Sequence, residues 1–86
     1  MNAKLKTVNP LPGLALEAVF HDGEERVYTV SRLLEKIPAF KVFSTMPGLF
    51  EQAAIEPGGY AVVWNDELDL ASEEIYLNGK RPQRQS

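Results

Sequence analysis

Between Leu14 and Phe20 apolar residues recur at every second position, so Leu14, Leu16, Ala18 and Phe20 share one side of an extended chain. Asp22-Gly23 follows, and RVYTV (26–30) then resumes a β-rich run, which together predict an antiparallel hairpin. Asp-Gly suits the positive φ angles of a two-residue type I′ turn, which would set Ala18 opposite Val27 with both toward the core. A three-residue loop would shift the register by one and bring Tyr28 to that side instead. The pattern is compatible with both. Upstream, AKLKTVNPL reads as a further strand, ended by the turn cluster Pro10–Pro12–Gly13.

After Val30 the period changes. Val30, Leu33, Leu34 and Ile37 stand at i, i+3, i+4 and i+7 and predict one apolar helical face, with Arg32, Glu35 and Lys36 in water. Ser31 is placed to cap the first turn, and Pro38 to end the helix by disfavouring α geometry at Ile37. A second short helix is expected from near Pro47, behind Ser44 or Thr45, with Leu49 and Phe50 inward. AAIEPGGYAVVWN predicts a second hairpin, turned by Pro57 and Gly59. Its YAVVW arm is apolar on both faces, as a central strand would be. The expected fold is α+β: one small antiparallel sheet of two hairpins plus an N-terminal strand, with two or three short helices packed on one side. Residues 1–79 form a single domain in this reading, and 80–86 a disordered polar, basic tail.

Composition narrows the class. With 86 residues, 44 % of them hydrophobic and 24 % charged, the chain has ordinary globular composition. It contains no cysteine, which removes disulfides, thiolate metal sites and thiol nucleophiles and fits a cytoplasmic location. No apolar run approaches a membrane span, and the N-terminus lacks the apolar region of a signal peptide. Charge is uneven: residues 1–79 hold all twelve acids and six of the nine bases, a net −6, while Lys80, Arg81 and Arg84 follow. An acidic body repels phosphate, which argues against nucleic acid as a partner of the folded part by itself.

The densest chemistry is WNDELDLASEEIYLNGK (64–80). An EF-hand loop started at Asp66 would have Leu68 at its third position and Ala71 at its sixth, so that template fails. Helix chemistry fits better, with Asp69 as N-cap, Glu73 and Glu74 near the positive end of the dipole, Leu70, Ile75 and Tyr76 on the apolar side, and Asn78-Gly79 as the stop. His21, the single histidine, falls at a hairpin tip in solvent, where a general base has no enclosing pocket. The serines occupy cap, loop or tail positions, and the glycines occur in turn dipeptides and not in phosphate-binding loops. These residues predict no enzyme, no cofactor and no metal.

Phe20-x-Asp22-Gly23, Leu33-Leu34, Phe50, the Gly59 turn, Trp64, and Asp69-Leu70 followed by Ile75-Tyr76 together resemble DUF2442, a family of small bacterial domains of unknown function. The likeness spans about residues 7–77, with NDEL (65–68) replacing the family's usual glycine-containing turn. The resemblance implies an α+β domain, found alone or joined to a helix-turn-helix segment. It also implies a gene often placed beside another small family in a toxin–antitoxin-like pair, and no catalytic residues. No helix-turn-helix is expected in the few residues after Tyr76, so any DNA contact would be expected to need a partner.

The expected function is therefore a non-catalytic protein-interaction or regulatory module. Its partner would be a protein, such as the product of a neighbouring gene, with Tyr28, Tyr60 and Trp64 as aromatic anchors on a sheet edge or face. The alternative is a nucleic-acid-associated regulator acting through Lys80, Arg81 and Arg84 or through a DNA-binding partner. A metal-assisted hydrolase using His21, Asp22 and the acids near Asp69 would require those loops to converge. Homodimerisation through a strand edge is open to each.

Overall fold

The structure, a computed structural model, describes residues 3–82. It contains two antiparallel three-stranded sheets, not the single sheet the hairpin pattern predicts. The first is a meander of β1 (Leu5–Leu11), β2 (Ala15–Phe20) and β3 (Glu25–Thr29). The second is a meander of β4 (Ala54–Ile55), β5 (Ala61–Asn65) and β6 (Leu68–Ala71), and one α-helix, α1 (Ser72–Asn78), follows it directly.

The first hairpin takes the three-residue loop His21-Asp22-Gly23. The Phe20 N–H donates to the Glu24 carbonyl at 2.9 Å, and Gly23 has a φ of 90°. Leu16 therefore faces Tyr28, Ala18 faces Arg26, and both Arg26 and Tyr28 turn inward while Val27 turns out. The alternation predicted for 14–20 is present, with Leu16, Ala18 and Phe20 fully buried. β1 runs through Pro10 and ends at Leu11, where the Pro12–Gly13 part of the expected turn cluster follows. Because Phe20 bonds toward β3, the alternate residues of β2 bond toward β1, and this places Val8 and Pro10 with their nitrogens on the outer edge. A proline there removes no ladder bond.

Between the sheets the chain makes short 3₁₀ turns, not the amphipathic helix expected over 30–37. The first is Val30–Leu33; its cap position is Thr29 and not the expected Ser31, with no side-chain cap bond, and Ile37 lies in extended geometry. Pro38 does interrupt the helical run, and it also begins the next turn, Pro38–Ser44. Three residues per turn put i and i+3 on one side, so Phe40 and Phe43 both enter the core. The helix predicted near Pro47 is a single 3₁₀ turn, Phe50–Gln52, with Leu49 and Phe50 buried as expected. These phenylalanines close around Trp64 of β5. Its ring centroid is 4.8 Å from Phe43, 5.7 Å from Phe50 and 6.1 Å from Phe40, and its Nε1–H donates to the Phe50 carbonyl at 2.9 Å.

The second hairpin forms as predicted. A type I turn over Glu56–Gly59 closes with the Gly59 N–H on the Glu56 carbonyl at 2.8 Å, and β5 is the central strand. Gly59 also joins the sheets, since its carbonyl accepts the Leu5 N–H at 2.7 Å. With a φ of 86° and a Lys4 methylene 2.9 Å from where a Cβ would stand, the position admits only glycine without displacement.

The acidic stretch divides in two. LDLA is the strand β6, in which Leu68 and Leu70 face the core and Asp69 faces solvent; the expected helix cap at Asp69 is thus absent. Asn65 forms the preceding turn, its Oδ1 accepting from the Glu67 and Leu68 N–H groups at 2.8 and 3.0 Å. α1 starts only at Ser72, with Glu73 and Glu74 in its first turn, where they complement the dipole.

Candidate functional site

Sequence pattern puts α1 against the first sheet through Ile75, which is fully buried, and through Tyr76, whose ring meets Phe20 edge-on at 4.9 Å. Around that apolar contact lies a belt of polar bonds. The Tyr76 hydroxyl donates to Asp22 Oδ2 at 2.7 Å, and the Tyr28 hydroxyl donates to Glu74 Oε2 at 2.7 Å. Arg26 lies beneath the Tyr76 ring, its guanidinium carbon 4.7 Å from the centroid. Its Nη1–H donates to Glu24 at 2.6 Å and to the Glu25 carbonyl at 2.8 Å, and its Nε–H to the Tyr76 carbonyl at 3.0 Å. A buried guanidinium needs such partners to offset its lost hydration.

Each bond favours one charge state. The hydrogen bond from Tyr76, then that from the Glu24 N–H, holds Asp22 below its ordinary value, and the hydrogen bond from Arg26 does the same for Glu24. Burial, and then the bond to Glu74, push the Tyr28 phenol up. The bond to Asp22 raises Tyr76. The two depressed carboxylates stabilise the fold above the ordinary carboxylate range, and that contribution is lost as pH falls through it. The raised phenols contribute fully below about pH 10, and their contribution is lost as pH rises beyond it. The denaturant midpoint should therefore change little from about pH 5 to pH 9 and decline on both sides, and Tyr76→Phe should flatten both limbs.

Past α1 the chain returns to β3. Val27 and Lys80 exchange two backbone hydrogen bonds, Val27 N–H to the Lys80 carbonyl at 2.7 Å and Lys80 N–H to the Val27 carbonyl at 2.9 Å. The expected tail thus begins docked on the sheet; residues 83–86, Arg84 among them, lie outside the described residues. Gly79 makes the return feasible. A Cβ there would stand 2.6 Å from the Ile75 carbonyl oxygen and 3.0 Å from the Arg26 Cβ.

This return leaves an open groove of about 500 Å³, lined by Val27 and Thr29 of β3, Arg32 of the first 3₁₀ turn, Asn78, and Lys80–Pro82. A smaller recess of about 290 Å³ adjoins it, sharing Arg81 and Pro82 and bordered by Gly23–Glu25. Three cations line the larger groove and, among the described residues, no acid does. Arg81 contacts Glu24 at 3.4 Å while remaining mostly exposed, a weak pair.

Of the three aromatic anchors expected from sequence, two are structural. Tyr28 and Trp64 are 3 % and 6 % exposed, with their polar atoms bonded within the fold, and only Tyr60, 47 % exposed, presents its ring to solvent. His21 is exposed at the hairpin tip, Asp22 is engaged by Tyr76, and Asp69 lies on the outer edge of β6. No group of three or more His, Asp or Glu side chains converges among the described residues. Lys80 and Arg81, named from the charge pattern, do line the groove. Arg32, Val27 and Thr29 were missed as site residues. Their only signal was the three-residue register of the first hairpin, which turns Val27 and Thr29 outward.

Among the described residues, no helix is long and apolar enough to cross a membrane. The family model of DUF2442, proteins of unknown function, matches residues 5–81. No curated protein and no solved structure matches the chain.

Proposed function

The chain belongs to the DUF2442 family, and from that premise we propose that it is a non-catalytic module that binds a protein partner in a regulatory role, in the manner of one member of a toxin–antitoxin-like pair. The observation that supports this most is the disposition of its polar side chains. Asp22, Glu24, Arg26, Tyr28, Glu74 and Tyr76 bond to one another or to backbone and hold α1 to the first sheet. A general acid or base needs a substrate-facing position within an enclosed pocket, and these groups face each other. What faces solvent is an open groove, the form of a recognition surface.

Strand edges favour a partner seated by side chains over one that extends a sheet. Pro10 blunts the outer edge of β1, Asp69 charges that of β6, and Lys80 covers β3 at Val27. The test is co-expression with the product of the adjacent gene, followed by size-exclusion chromatography. A stable complex of the two chains is expected. Separate elution at micromolar concentrations would refute the reading.

A further inference from the structure

Resting on that reading, we infer that the groove between β3, the Val30–Leu33 turn and residues 78–82 is the contact surface, and that its occupant is an acidic segment of the partner protein whose carboxylates meet Arg32, Lys80 and Arg81. The whole chain carries a net charge of −3, yet three of its nine bases line this one groove. Like charges brought together repel one another in the free protein, and carboxylates entering between them turn that repulsion into attraction.

Among the described residues Arg32 and Lys80 make no ion pair, and the single pair of Arg81 is long and solvated, so all three can turn to a ligand. The Lys80 backbone is fixed to Val27 by two hydrogen bonds, which anchors the ammonium's stem without engaging its head. Val27, Thr29 and Pro82 add a partly apolar lining. A segment alternating carboxylates with small apolar side chains matches both chemistries.

Nucleic acid offers the same sign of charge but fits less well. A phosphate backbone extending from the groove meets Glu24 and Glu25 around the adjoining recess, and beyond them an acidic body. A short acidic segment can end before that border.

The test uses a fluorescein-labelled peptide of alternating glutamate and valine, a single-stranded DNA of equal length, and fluorescence anisotropy at about 20 mM and about 300 mM salt. Saturable peptide binding is expected at low salt, weakened about tenfold or more at high salt and to a similar degree in Arg32→Glu/Lys80→Glu. Both side chains are exposed, and an unchanged denaturant midpoint would show that the variant is folded. Lack of peptide binding at low salt, equal binding by the variant, or tighter binding of the DNA would each overturn the assignment. The same variant co-expressed with the adjacent gene product separates the two proposals. A complex that survives the double reversal refutes the acidic-segment assignment and leaves the binding-module reading standing, whereas a wild-type chain that forms no complex refutes the module itself.

Discussion

Trp64→Ala is expected to cost about 3–5 kcal/mol, the usual range for removing a buried aromatic side chain. Total stability for a domain of this kind is about 5–15 kcal/mol, so the loss is a large share of the whole. Trp64 is the residue around which the irregular half of the chain is organised. Phe40, Phe43 and Phe50 come from two short 3₁₀ turns, and each ring packs on the indole. Removing the indole would leave a cavity at the centre of that cluster and leave the Phe50 carbonyl with only the longer bond from the Ala53 N–H, at 3.3 Å. Trp64→Phe restores much of the volume but not the donor, and should fall between the alanine variant and the native chain. Urea denaturation followed by circular dichroism measures the series. A Trp64→Ala midpoint near that of the native chain would contradict the packing account.

Gly79→Val is the second change with a large expected effect, and it acts on stability and on the groove together. A side chain at this position meets the Ile75 carbonyl and the Arg26 Cβ at distances below van der Waals contact, so either α1 or the Lys80 return must move. Overpacking of this kind costs about 1–3 kcal/mol. Moving the return also breaks the Val27–Lys80 bonds, which frees Lys80 and Arg81 from their positions beside Arg32. The expected outcome is a lowered midpoint together with loss of acidic-peptide binding at concentrations where the variant remains folded. Retained binding would show that the groove does not depend on the docked return.

Local elements were legible wherever one strong pattern ruled a stretch. Alternation at 14–20, the Pro57–Gly59 turn and the apolar YAVVW strand each have a single physical reading, and each appears in the structure. The helix expected at 30–37 failed because apolar spacing at i, i+3, i+4 and i+7 does not distinguish an α-helix from a 3₁₀ turn followed by a change of direction. Two features decide between them, Pro38 and the aromatic pair Phe40 and Phe43, whose spacing suits three residues per turn. The strand at 68–71 was hidden by its acids. Asp69 followed by Glu73 and Glu74 reads as a helix start, although Leu68 and Leu70 alternate as strand residues do.

The groove was least legible because it depends on long-range placement. Arg32 and Lys80 are far apart in sequence, and only the register of the first hairpin together with the close approach at Gly79 brings them to one surface. The same placement buries Tyr28 and Trp64, which composition alone would offer as binding anchors. Their polar atoms reveal the reason: each is bonded to a group on another element, and such bonds belong to a packed interior.

Heteronuclear NMR of the isotopically labelled protein, titrated with the glutamate–valine peptide at low salt, locates the contact surface residue by residue. The predicted result is saturable shifts of the amides of Val27, Thr29, Arg32, Asn78, Lys80 and Arg81, with those around Tyr60 and β6 unchanged. Shifts centred on Tyr60 and β6, or none anywhere, would contradict it.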